Sequence, residues 1–437
     1  MTTSLRPVPV MAGPQGIHLL RFLLHYRRDP WQAMRQVVEQ YGDPSWVKVG
    51  PYALCIVHHP LYARQILEMD TLSYGKASRY SRQMETAVGS SLVAAISTNF
   101  ERRQIIEQCL GQQLVHLSQS IDELCQPTFA FLDERVRDKR PFDLRPELFR
   151  LNLRILGRVL LGLRSKNQLE QMGEALITIQ DISNRQFNAF VNLPPHWPTP
   201  QNRRFQAASQ RLRQLVAASM ADPQASKPNF VADIRAQFPN SFSETQIQDE
   251  VISLLFAGRE DPVNSVAWSL ALLALTPEVA KKFQQELKDW PNPMTAPYLQ
   301  AVIQESWRLY PPTWGLLRDL TRPAELGIYP LQTGEMIFLA LFLTHRHPEF
   351  WPEPDKFDPQ RFLPPNDIGR HPYAFLPFGA GMRACVAQHF AAPQVALILA
   401  QLSKRYQFQL ALSRLPRPEA THSLRPQGGL WVTLSQR

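Results

Sequence analysis

The chain has 437 residues, 44% of them apolar and 19% charged, a balance that excludes a disordered segment or a coiled coil as its main body. Its formal charge, 47 basic minus 38 acidic residues or +9, allows an acidic partner protein, an anionic cofactor or a membrane surface. Like charges never run to five in a row and no basic stripe carries interleaved aromatics, which argues against nucleic acid.

Residues 1–30 read as an extension without a signal-peptide pattern; the apolar stretch 17–24 is short and broken by His18 and Arg21, so no membrane anchor is expected. Apolar periodicity near 3.6 predicts helices over 31–41, 99–115, 121–137, 146–163, 168–187, 203–220 and 244–275. The segment 46–57 reads instead as a hairpin turning at Gly50-Pro51. Between two long helices, Pro194, Pro195, Pro198 and Pro200 form a joint that cannot itself be helical. Beyond Pro311 short strands and turns take over, with 330–342 expected as a strand pair around Thr333-Gly334, and a last amphipathic helix runs from Cys385 to about Tyr406. No repeat appears, so 1–437 reads as one large domain, mainly α with a small β lobe. The cysteines, Cys55, Cys109, Cys125 and Cys385, lack zinc spacing and are too few for a disulfide scaffold, which fits a reducing cytoplasm.

Three motifs carry chemistry. In Phe378-Gly379-Ala380-Gly381-Met382-Arg383-Ala384-Cys385 a glycine-bearing loop ends at a cysteine before a helix, where aligned amides favour a thiolate. The glycines let backbone approach a flat ligand, and Arg383 could pair with a carboxylate. A lone cysteine is as often a small buried apolar residue, so the loop alone leaves both readings open. Glu305 and Arg308, at i and i+3, share a helix face that Pro311-Pro312 terminates. The third motif, from His347-Pro348 to Phe357-Asp358-Pro359-Gln360-Arg361-Phe362, is a rigid aromatic and proline meander with one arginine.

In order and spacing these motifs resemble the cytochrome P-450 family of haem-thiolate enzymes over nearly the whole chain. The resemblance implies the cytochrome P-450 fold with a long central helix over haem b, Cys385 as iron ligand, Phe378 and Gly379 in the loop beside it, and Arg383 and Arg318 as propionate partners. It implies that Glu305, Arg308 and Arg361 form a buried triad locking the meander. Thiolate ligation favours O–O cleavage, the chemistry such an architecture supports.

Two departures stand against that pattern. The tryptophan and arginine that contact propionates from the first haem-contacting helix are here Phe100 and Gln104, with Arg102 or Arg103 as candidate replacements. In the central helix, Ala257-Gly258-Arg259-Glu260-Asp261-Pro262 keeps the acid as Glu260 but puts Asp261 where monooxygenases carry a threonine. Pro262 has no N–H for the Gly258 carbonyl, so that carbonyl should be open and the helix kinked. A carboxyl beside Glu260 in an apolar site should have a raised pKa and can carry a proton. Two catalytic readings follow: oxygen activation with Asp261 as relay acid, or a reaction needing less proton delivery, such as phenol coupling, ring formation or peroxide-driven oxidation.

By position, Ala257 faces the haem and the substrate pocket draws on Leu92, Phe190, Leu254, Trp314, Leu317 and Leu430, which suits an apolar or aromatic small molecule of secondary metabolism. Electrons would come from a ferredoxin or flavodoxin docking on Arg383, Arg102, Arg103, Lys404 and Arg405. The readings of another class are a non-catalytic haem carrier or sensor and a helical scaffold without cofactor.

Overall fold

The computed structural model describes residues 11–50, 52–76, 85–86, 88–95, 99–187 and 197–437. They form two compact units: one from residues 1–79, 313–356 and 369–385, the other from 80–312, 357–368 and 386–437.

The first unit is built on a five-stranded sheet ordered Ser45–Val49, Tyr52–Val57, Met336–Leu339, Leu316–Leu320, Tyr74–Lys76. The expected hairpin is its first pair, in register Ser45↔Ile56 to Val49↔Tyr52. The expected pair across Thr333-Gly334 does not form. Tyr329–Leu331 pairs back onto Ala324–Leu326, while Met336–Leu339 inserts parallel to Tyr52–Val57 and antiparallel to Leu316–Leu320. Ile337, Phe338 and Leu339 are all buried, the mark of a central strand covered on both faces rather than of a half-exposed hairpin arm. Part of the presumed extension also has a fold role, since Gly16–Arg28 is helical and buries Phe22.

The second unit is mostly helical. The two helices expected over 99–137 are one, Phe100–Asp138. The intervening polar residues do not break it because Ser118 and Ser120 donate to the carbonyls of Val115 and His116, and the buried stripe Gln113, Leu117, Ile121, Leu124 continues at helical spacing. Most other boundaries shift by one to three residues, as Arg145–Leu161, Lys166–Phe187, Pro200–Met220 and Gln388–Arg405. Of the proline joint, Pro194 and Pro195 lie outside the described residues; Pro198 is non-helical, while Pro200 opens the helix Pro200–Met220, where a first-turn proline loses no hydrogen bond.

The long helix expected over 244–275 is interrupted where Pro262 predicted. Regular structure runs from Glu244 to Gly258, resumes at Asp261 and ends at Leu275. The Gly258 and Arg259 carbonyls are taken by Asn152, whose Nδ2 donates to both at 3.0 and 2.7 Å. Gln394 in turn donates to Asn152 Oδ1 at 2.6 Å, and both amides are buried. Asn152→Leu orphans two buried carbonyls and the Gln394 amide at about 1–3 kcal/mol each before relaxation, so a fall in unfolding free energy of at least about 2 kcal/mol is expected by denaturant titration.

Candidate active site

In the second unit, Glu305 and Arg308 on the helix Pro297–Leu309 are fully buried and paired through two hydrogen bonds, Nε to Oε2 at 2.6 Å and Nη2 to Oε1 at 2.8 Å. Arg361 approaches Glu305 Oε1 at 3.4 Å, and the Asp358 N–H donates to the same oxygen at 2.9 Å. One carboxylate therefore holds the meander segment through both a side chain and a backbone amide. From the same helix Trp307 donates to Ser265 Oγ at 2.8 Å, and Ser265 donates to the Asp261 carbonyl at 2.7 Å, so triad and helix interruption share one framework.

In the first unit the cysteine loop closes on itself: the Cys385 N–H donates to the Phe378 carbonyl at 2.8 Å. Gly379 and Gly381 have φ of +70° and +69°, and a Cβ on Gly381 would collide with the Leu67 carbonyl, so the loop can be this tight only with glycine there. Cys385 is half-buried, whereas Cys55, Cys109 and Cys125 are buried, with the thiols of Cys109 and Cys125 pushed up to about 12 mainly by desolvation. Beside the loop, Arg318 lies opposite Lys76 across the sheet edge. Burial and then the nearby Arg383 lower Arg318 to about 10; burial followed by Arg383 and Arg318 lowers Lys76 to about 8. Three half-buried to buried cations repel one another here, an arrangement that an anionic ligand such as a pair of propionates relieves. With a cysteine and a glycine cradle in the same unit, the residues fit haem b. Lys76 is the member that sequence reasoning missed; a lone lysine beside a short strand gives no signal until the strand is paired.

Phe100 and Gln104, at the start of Phe100–Asp138, are both exposed. Their candidate replacements are committed elsewhere, Arg102 to Glu250 at 2.7 Å and Arg103 to Glu107 at 3.1 Å. Glu250 also accepts from the Leu92 N–H at 2.8 Å, and burial lifts its carboxyl to about 7 against those partners.

At the helix interruption, Arg259 is fully buried, donates to the Leu176 carbonyl and lies 3.9 Å from Glu260. Asp261 is lifted to about 6, first by desolvation and further by Glu260, while the Ser423 hydroxyl and Arg259 oppose the shift. The expected raised carboxyl is therefore present, with Ser423 as a partner that the sequence did not reveal. Ala257 is exposed and Leu254 buried on the same helix, and Leu92 and Leu317 are half-buried. Trp314 packs into the aromatic core of the first unit against Phe338 and Phe342. Leu430 is buried, and its N–H donates to Asp143 Oδ1 at 2.8 Å next to the strand Trp431–Gln436. The hairpin residues Thr421–Leu424 reach the central helix, where the Leu424 carbonyl accepts from Trp268 Nε1 at 3.0 Å. Phe190 lies outside the described residues.

Among the described residues one group has metal-ligating composition, His59, His347 and Glu349. Nδ1 of His59 and of His347 each accepts a backbone N–H, from Leu61 and Glu349, so Nε2 carries the proton and the imidazoles act as turn caps around a carboxylate.

A family model described as Cytochrome P450 matches residues 11–432. The chain is 25% identical over 422 residues to cyclooctat-9-en-7-ol 5-monooxygenase of Streptomyces melanosporofaciens, covering 92% of this chain and 90% of the relative. It is 25% identical over 431 residues to cyclooctatin synthase of the same organism, with coverage of 94% and 93%. Two solved structures share the fold: a cytochrome P450DA heme domain, with TM-score 0.82 at 17% identity over 99% of this chain and 98% of that one, and retinoic acid bound cyanobacterial CYP120A1, with 0.76 at 21% over 92% and 94%. Because the family match runs through both units and takes in the cysteine loop, the triad and the interrupted helix alike, the chain belongs to the cytochrome P450 family of haem-thiolate monooxygenases.

Proposed function

We propose that the chain oxidises an apolar small molecule of secondary metabolism, using O2 and electrons from a ferredoxin- or flavodoxin-type partner, with Asp261 as the proton-relaying acid. The relative named cyclooctat-9-en-7-ol 5-monooxygenase suggests an alicyclic alkenol as the substrate class, and the apolar residues Leu254 and Ala257 next to the helix interruption suit such a molecule. Haem bound through the Cys385 thiolate supplies the oxygen activation, the thiolate's electron density favouring O–O cleavage. Arg318, Arg383 and Lys76 hold its propionates by charge-assisted hydrogen bonds. Glu260 supplies a second carboxyl beside Asp261, and its charge keeps the Asp261 proton bound closer to neutrality than an isolated aspartate would. The observation that carries this reading is the carboxyl pair Glu260–Asp261 at the interruption of the central helix, where burial and then Glu260 lift Asp261 to about 6, near the operating pH where a general acid is most effective.

The Asp261→Asn enzyme tests it. Partner-driven turnover is expected to fall by about 10²-fold or more, the usual worth of a positioned acid, while turnover with hydrogen peroxide falls much less. Equal losses in the two assays, or none, remove Asp261 from proton delivery. High peroxide-driven turnover in wild type with little partner-driven turnover favours the coupling or peroxide reading instead.

A further inference from the structure

The central helix lacks the hydroxyl that the family normally places beside its acid, yet a hydroxyl is present there. The hairpin pairing Pro418–Ala420 with Leu424–Pro426 brings its connecting residues onto the helix Asp261–Leu275. Its backbone is fixed on both sides: the Leu424 carbonyl accepts from Trp268 Nε1 at 3.0 Å, and the Leu424 N–H donates to the Pro312 carbonyl at 2.8 Å. Thr421 tightens the turn by donating from Oγ1 to the Ser423 carbonyl at 2.6 Å. Ser423 is thereby buried, and its Oγ accepts from Asn264 Nδ2 at 2.8 Å. Asn264 is three residues beyond Asp261, on the same helix face. A hydroxyl whose lone pair is used by an amide has its proton available to another acceptor, and the carboxyl on that helix face is Asp261, one turn before Asn264, whose pKa the Ser423 hydroxyl lowers.

We propose that Ser423 supplies from the hairpin the hydroxyl that the central helix lost at Asp261, forming an acid–hydroxyl pair in which the acid is on the helix and the alcohol is not. Ser423 is a positioning residue: its O–H orients the Asp261 carboxyl, while Asn264 sets the direction of that O–H bond. Near the pair, Glu260 Oε2, Arg259 Nε and Asn264 Oδ1 are buried polar atoms without a protein hydrogen-bond partner, the kind of group that an ordered water satisfies. Outward from Glu260 come Arg425, 26% exposed, and its cross-strand partner Glu419, 36% exposed, at 2.8 Å, an ion pair whose guanidinium keeps its protons and acts on Glu260 by charge alone. Arg425, in the strand Leu424–Pro426, follows the turn residue Ser423 by two positions, so one short stretch of the hairpin brings Ser423 to Asp261 and Arg425 to Glu260. The charged and titratable groups facing Asp261 and Glu260 are Arg259, Arg145, Arg425, Asp181 and Glu419, with His422, its imidazole lowered to about 4 by burial, as the hairpin's own.

The inference rests on the reading of Asp261 as relay acid, and the test separates the two. In the haem-loaded full chain, the Asp261 carboxyl is followed by infrared pH titration, assigned by subtracting the Asp261→Asn spectrum. Product formed per electron consumed is measured alongside. Ser423 donates to the ionised carboxyl and so lowers its pKa; Ser423→Ala is therefore expected to move the titration upward from about 6 by about one unit, and to divert electrons from product to hydrogen peroxide. Ser423→Thr, which keeps the hydroxyl, is expected to restore both. Because Leu424 docks through its backbone, Ser423→Ala keeps the hairpin in place. An unmoved titration with an inactive Asp261→Asn enzyme overturns the role of Ser423 and leaves Asp261 as the relay; unchanged turnover in Asp261→Asn overturns both.

Discussion

Glu305→Ala is expected to yield protein that cannot hold its second unit together and does not retain haem through gel filtration. The substitution removes the carboxylate that pairs with Arg308, wholly buried, and Arg361, 11% exposed, and orphans the Asp358 N–H. Breaking a buried ion pair from one side costs about 3–5 kcal/mol, and the orphaned amide adds about 1–3. Against a total stability of about 5–15 kcal/mol, that removes most of the margin. Arg361→Ala keeps the two-bond Glu305–Arg308 pair and gives up its 3.4 Å approach to Glu305, so its unfolding midpoint is expected to fall less. If denaturant titration gives the two variants equal losses, the carboxylate is not the hub.

Cys385→Ala is expected to abolish the thiolate-type Soret band of the dithionite-reduced, carbon monoxide-treated protein, and partner-driven turnover with it. The other three cysteines cannot substitute. Their burial raises the thiol pKa, which for Cys109 and Cys125 reaches about 12, so at neutral pH they are protonated and poor ligands. Cys109→Ala serves as the control and should keep the band. A thiolate band surviving in Cys385→Ala would move the ligand elsewhere in the chain.

Much of the site was legible from local spacing. Glu305 and Arg308 are three residues apart on one helix, and Gly379 to Cys385 is one loop, so each geometry is fixed within a few residues of backbone. Pro262 likewise fixed the interruption, because a missing N–H acts on a carbonyl only four residues away. The errors fell where partners are distant in sequence. Met336–Leu339 found its neighbours in Tyr52–Val57 and Leu316–Leu320 rather than in the next strand, and periodicity within one segment cannot choose between them. The hairpin residues that reach the central helix, Ser423 and Leu424, likewise carry no local signal of their partners Asn264 and Trp268.

By itself, then, the sequence determined the family, the cysteine, the buried triad and the position of the break in the central helix, since each depends on residue types at short fixed offsets. Tertiary structure decided what satisfies them. Asn152, held by Gln394 242 residues away, caps the Gly258 carbonyl that Pro262 opens and the Arg259 carbonyl next to it; Lys76 joins Arg318 and Arg383 only once two strand edges pair; and Ser423 comes to Asp261 from the far end of the chain. The reason is physical: a buried carbonyl or charge must find a partner, but the requirement names only the chemistry of that partner, and folding alone chooses which residue arrives.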